Sequence, residues 1–189
     1  MFDFEEQEIP GLFRLRPKVF SDHRGCFVKN VHANMFAEHG LKHDFAEQFY
    51  SVSHKGVLRG LHFQRPGHDH EKLVFCTRGK ILDVVFDMRR GSPTYGRSAS
   101  FVLDGGFCDQ IYIPRGLAHG FYVVSDTATV HYNVTTVHSP QHDAGIHWSS
   151  VADAFPDANP VVSERDASHP RWDDFVTPFV FEDADAPLP

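Results

Sequence analysis

Between Phe45 and His138 turn-forming residues cut the sequence at short, nearly regular intervals, and this rhythm limits the fold more than any other feature. Leu73–Thr77 is an apolar run ended by Arg78-Gly79, and Ile81–Asp87, rich in β-branched and aromatic residues, is closed by Gly91-Ser92-Pro93. Ser98–Leu103 alternates up to Asp104-Gly105-Gly106, and Gln110–Ile113 halts at Pro114-Arg115-Gly116. Phe121–Val124 halts at Ser125-Asp126, and Thr129–Thr135 makes one more strand. Turns so spaced signal an antiparallel sandwich or barrel, and the lack of helical patterns between the strands excludes βαβ units. One short helix is expected at Ala33–His39, with Gly40 as its stop. From Val151 onward Pro, Asp and Ala dominate, which reads as a loop-rich tail wrapped on the barrel, with room for a short helix. No internal repeat or low-complexity tract is visible, so residues 1–189 are expected to form a single domain.

Composition narrows the function classes. A chain of 189 residues can bury a full core without staples. Its 18 Phe lean towards a β-rich interior, where aromatics pack well. A formal charge of −7 argues against general binding of nucleic-acid backbones, so an anionic ligand must be met by a few placed cations. Cys26, Cys76 and Cys108 are odd in number and lack CxxC spacing, which suggests reduced thiols rather than a disulfide framework. The acidic N-terminus is unlike a signal peptide, and no apolar run is long enough to span a bilayer. A cytoplasmic protein that needs neither membrane nor nucleic acid is expected.

Two segments stand out, Gly56–Gln64 and Ile113–Phe121. The second contains PxGxxH, a turn that in cupins delivers a histidine, here His119, to the barrel interior. A metallo-cupin would use His68 and His70 with His119 and a glutamate. Val74 and Phe75 occupy the stretch where that glutamate belongs, and a metal needs its whole ligand set. His68-Asp69-His70 reads instead as an exposed polar loop, so no metal or other cofactor is expected.

The wider pattern is more specific. Asp22-x-Arg24-Gly25, Gly56–Gln64, Lys72-Leu73-Val74, Asp83–Asp87 with Arg89, Ser92-Pro93-Thr94-x-Gly96 and Pro114–Phe121 stand in order. Tyr132, Gly145-Ile146-x-Trp148 and Ser163-Glu164-x-Asp166 follow them. From about Ile9 to Asp166 the chain resembles the dTDP-4-dehydrorhamnose 3,5-epimerase family. The resemblance implies an all-β, cupin-type jelly-roll barrel with a few short peripheral helices, and a homodimer. It also implies an isomerase of deoxysugar and surface-polysaccharide biosynthesis, acting on a nucleotide-diphosphate 4-keto-6-deoxy sugar.

That chemistry makes sense of the residues. A ketone at C4 acidifies the protons on C3 and C5. Inversion then needs a base on one face of the ring, an acid on the other, and a cation for the enolate between them. By the resemblance, His62 is the base, Asp166 orients its ring, and Tyr132 reprotonates from the opposite face. Lys72, aided by Arg59 and His119, stabilises the enolate oxygen. Arg24 is the candidate clamp for the diphosphate, and Phe20 could stack on the base. Gln48 is a further substrate-binding candidate.

Strand parity supplies one check. Strict alternation puts Arg59 and His62 on opposite faces, so for both to line one pocket Gly60 must permit a bulge. Lys72 would share a face with Val74 and Cys76, where a lysine is costly without a partner or a task. The structural reading is preferred for Asp83 and Asp87, although Asp83 could reach His119. His23, His32, His39, His43, His54, His131, His142, His147 and His169 are read as structural or exposed.

The chain also departs from the family pattern. Glu47 and Phe49 replace a Gln-x-Asn pair, Lys29 replaces a glutamate, and His138 replaces a second tyrosine. Lys29, Glu47 and His138 therefore join the substrate-binding candidates. These positions bear on the nucleotide and on how many carbons are inverted. A single-carbon epimerase, or one acting on a CDP- or GDP-linked sugar, stays open. So do the metal-dependent cupin and a sugar-binding module without turnover.

Overall fold

A computed structural model describes residues 2–182. Two antiparallel sheets face one another, each built from strands distant in sequence. The first comprises β1 (Phe2–Glu6), β2 (Phe13–Pro17), β10 (Gln110–Ile113), β7 (Lys72–Arg78), β12 (Thr127–Val134) and β5 (Glu47–His54), in that spatial order. The second runs β13 (Asp143–Gly145), β6 (Leu58–Gln64), β11 (Leu117–Val123), β8 (Lys80–Asp87) and β9 (Ser98–Asp104). A hairpin of β3 (Val19–Asp22) and β4 (Gly25–Val28) stands apart with most of its residues exposed. This is the antiparallel all-β architecture that the turn rhythm implies, in the jelly-roll form that the resemblance implies.

Three apolar clusters hold it together. Between the sheets lie Val74, Cys76, Ile81, Val85, Ile111, Phe121 and Val130 with their neighbours. A second cluster, with Leu58, Phe63, Phe86 and Ile146, packs the outer face of the five-stranded sheet against the tail, including Phe155 and Phe179. A third, with Leu15, Leu73 and Tyr112, lies under α1 (Ala33–Glu38), whose Phe36 is fully buried among Phe2, Phe4 and Tyr112. Burial of one such ring contributes about 1.5–3 kcal/mol. Because tail and helix cover the outer faces, β11 is buried along its whole length. Strands wrapped on both faces read as continuous apolar runs rather than as alternating ones.

The expected strands are present, with shifted ends. Strand β11 begins at Leu117, four residues before the expected Phe121, because Gly116 (φ 82°) completes the turn and Leu117–Gly120 already pair with β8. The helix ends at Glu38, with His39 as C-cap and Gly40 in the left-handed region (φ 69°). The tail holds two 3-10 segments, Trp148–Ala154 and Trp172–Asp174, and α2 (Glu164–Ala167).

Candidate active site

A cavity of about 390 Å³ opens between the two sheets. From the five-stranded sheet it receives Arg59, His62, His119 and Phe121, and from the six-stranded sheet Lys72, Tyr132, Val134, Glu47, Phe49 and Ser51. Arg59 and His62 do reach the same space, through the bulge that parity demands. The β6–β11 register slips between His119 and Phe121, so that His119 faces His62 while Phe121 faces Arg59. Gly60 sits at the slip with φ 137°, and a Cβ there would lie 2.5 Å from the Gly120 Cα. Only glycine fits that close approach.

His62 donates from Nε2 to Asp166 Oδ1 at 2.8 Å. Asp166 is delivered by α2, whose N-cap Ser163 accepts from the Asp166 backbone N–H at 3.1 Å. Its second oxygen accepts from the Gly60 N–H at 3.1 Å, so the bulge glycine also fixes the carboxylate. Burial raises the Asp166 pKa, but the hydrogen bond and charge of His62 outweigh it and hold the carboxyl at about 2. Burial keeps the His62 imidazole below its ordinary value, with Asp166 opposing the shift. A neutral ring held by an ionised carboxylate is a competent proton acceptor.

Across the cavity, burial pushes the Tyr132 phenol above its ordinary value, so it keeps its proton. Phe49, its partner across β5 and β12, stacks on it at 4.8 Å. Lys72 is 8% exposed and donates to the His62 carbonyl at 3.1 Å. Burial lowers its pKa to about 8 against the attraction of Asp143 and Asp83, leaving an ammonium in a poorly solvated place. His119 donates to Asp83 Oδ2 at 2.7 Å with both groups buried, so the contact left open for Asp83 is made. Asp87 is held by Arg89, Ser92 and Thr94, in keeping with its structural reading.

Glu47 and His138 also line the cavity, and Glu47 accepts from the His138 backbone N–H at 2.7 Å. Four candidates do not reach it. Arg24 is 79% exposed and paired with Asp22 on the hairpin, Phe20 packs beside Phe27, and Lys29 is exposed just beyond β4. Gln48 points to the other face of its sheet because strand parity separates it from Glu47 and Phe49.

The structure adds residues that the sequence reading set aside. His70 is half-buried at the cavity, not in an exposed loop, because the buried Gln64 amide donates to the His68 carbonyl at 2.7 Å and contacts His70 Nδ1 at 3.1 Å. Burial lowers the His70 pKa to about 3. Arg165 and Asp143 form a 2.9 Å ion pair in the lining. Their signal was available in the motifs that flank them. His169, read as structural or exposed, lies against the His62–Asp166 pair, its Nε2 3.9 Å from Asp166 Oδ1.

Comparison with known proteins shows the family. A family model described as dTDP-4-dehydrorhamnose 3,5-epimerase matches residues 6–174. The dTDP-4-dehydrorhamnose 3,5-epimerase of Shigella flexneri is 39% identical over 170 residues, covering 88% of this chain and 94% of that one. The dTDP-6-deoxy-D-glucose-3,5-epimerase of Legionella pneumophila Philadelphia 1, solved with dTDP-4-keto-L-rhamnose, superposes with a TM-score of 0.89. It is 32% identical, covering 96% of this chain and 100% of that one. A 3'-monoepimerase from Streptomyces bikiniensis, solved with dTDP-quinovose, has a TM-score of 0.81 and 31% identity, covering 87% of this chain and 85% of that one.

Proposed function

The chain belongs to the dTDP-4-dehydrorhamnose 3,5-epimerase family and is an isomerase, and we propose that it inverts C3 and C5 of a dTDP-linked 4-keto-6-deoxyhexose. One observation carries the mechanism: His62, bonded to Asp166 of α2, comes from one sheet and Tyr132 from the facing sheet, and His62 and Tyr132 line one cavity. A proton taken by His62 from one face of the ring is replaced from Tyr132 on the other. The electron pair left on carbon moves to the C4 oxygen, and the Lys72 ammonium with the Arg59 guanidinium offsets that charge. His119, fixed by Asp83, lines the cavity beside them.

A homodimer is part of the proposal. Phe20 and Phe27 on the hairpin and Tyr50 and Val52 on β5 leave exposed apolar surface for a second copy. The binding roles of Phe20, Arg24 and Lys29 belong to that assembly, since within one chain they lie outside the cavity. Among the described residues no helix is long and apolar enough to cross a membrane, and a cytoplasmic location goes with the proposal.

A single-carbon reading is favoured by Phe49, whose ring stacks on Tyr132 where the family pattern carries an amide. That ring could hold the sugar in one pose. The test is turnover of dTDP-, CDP- and GDP-linked 4-keto-6-deoxyglucose, with the C3 and C5 configurations read by NMR. Inversion at both carbons with the dTDP substrate is expected. Inversion at one carbon alone would favour the monoepimerase reading, and no turnover of any of the three would overturn the proposal.

A further inference from the structure

His62, Asp166 and His169 form a cluster that the proton-transfer scheme uses only in part. Each offers one ligand atom, and the three atoms lie within 4.8 Å of one another. Two of the separations are 2.8 Å (His62 Nε2 to Asp166 Oδ1) and 3.9 Å (His169 Nε2 to Asp166 Oδ1). In a tetrahedral zinc site with bonds near 2 Å, donors stand about 3.3 Å apart, so these two separations differ from that by about half an ångström each and the third by at most about 1.5 Å.

His169 has the character of a ligand waiting for a partner. Its side chain is 12% exposed, and its Nε2 is buried with no hydrogen-bond partner among the described residues. Its position is constrained on both sides. The next residue, Pro170, accepts from the His147 backbone N–H at 2.7 Å. Gly145 leaves room for the ring, where a Cβ would stand 2.5 Å from Nε2. Two imidazoles and a carboxylate are a donor set that suits Zn²⁺.

We propose that His62, Asp166 and His169 form an inhibitory binding site for a divalent transition metal such as Zn²⁺. That the ion inhibits rests on His62 being the base; that it binds does not. A neutral imidazole has one lone pair. When the nitrogen beside Asp166 gives that pair to the ion, the other nitrogen must carry the proton and can no longer accept one from the sugar. The ion also replaces the His62–Asp166 hydrogen bond. Metal and proton transfer are thereby mutually exclusive at His62, and a chelator should preserve or raise activity.

The test uses the full chain and the metals alone. Titration with Co²⁺ should give the visible absorption of a four-coordinate ion at one per chain, and Zn²⁺ should displace it. The same Zn²⁺ range should stop epimerisation, reversibly on adding EDTA. His169→Gln should weaken Co²⁺ binding by more than the ~10–100-fold typical of losing an outer-shell partner. His169→Cys, which restores a donor, should keep the signature. An unchanged spectrum in His169→Gln, or no four-coordinate signal in the wild type, would overturn the site. Binding that depends on His169 but leaves turnover untouched would uphold the site and remove His62 as the base.

Discussion

Among the described residues two His–Asp pairs are hydrogen-bonded, and their histidines are neighbours: His62 on β6 and His119 on β11 stand opposite each other in register. Their hydrogen bonds are almost equal in length, 2.8 and 2.7 Å. Everything around them differs. Asp83 comes from the next strand of the same sheet, and its pair is sealed, with His119 4% and Asp83 0% exposed in the side chain. Asp166 comes from a short helix in the tail, over 80 residues further along the chain, and leaves His62 29% exposed to the cavity. A sealed pair can hold a ring in one place. A pair open on one side can take up and give back a proton. The same two residue types thus acquire different tasks from where their carboxylate is anchored.

The largest expected effect separates the pairs by activity. Asp166→Asn keeps the shape but removes the charge that supports an imidazolium, and kcat should fall by about 10²–10⁴-fold, the range of general acid–base catalysis. Its melting temperature should move little, because an amide can still bond the ring. Asp83→Ala should do the reverse in emphasis. It leaves a buried histidine unpaired, at a cost of about 3 kcal/mol. In a chain of this size that lowers Tm by roughly 6–12 °C. Differential scanning calorimetry beside steady-state kinetics checks both, and equal losses of activity and stability in the two variants would dissolve the distinction.

A pH profile sharpens it further. The His62 pKa lies below its ordinary value, so the neutral base persists at pH 7 and is lost only as pH falls through that lowered value. The Lys72 ammonium is lost as pH rises through about 8. The rate should therefore fall on both sides, with the alkaline limb near pH 8. Lys72→Arg, which stays charged, should remove that limb. A limb at the same pH in Lys72→Arg would assign it elsewhere.

How far the sequence revealed this arrangement follows from where each contact originates. Strands between Gly, Pro and Asp turns could be read because turn chemistry is local. His62, Tyr132, Lys72 and Asp166 could be placed by motif, and the Gly60 bulge by parity once Arg59 and His62 were assigned to one pocket. His70 could not: its burial depends on Gln64 tying two loops together, a tertiary event with no local pattern. Nor could His169, three residues past Asp166 in a polar stretch, announce that its ring packs against the His62–Asp166 pair. Arg24 and Phe20 carry a motif, yet within one chain the hairpin keeps them in solvent.

The smallest effect concerns Phe49. Phe49→Asn removes the stack on Tyr132 and should change the ratio of exchange at C3 and C5 by a few-fold, with little change in Tm, since the ring is exposed. NMR of the labelled product reads that ratio, and an unchanged ratio would show that Phe49 does not set the pose of the sugar.

The central claim is that the open pair, and not the sealed one, moves the proton. Wild type and His62→Asn are incubated in deuterated solvent with the dTDP-linked 4-keto-6-deoxy sugar, and deuterium at C3 and C5 is followed by NMR. Label is expected at both carbons in the wild type, clearly faster at one. Loss of both by about 10²-fold or more is expected in His62→Asn. Label entering His62→Asn within a few-fold of the wild-type rate would contradict it.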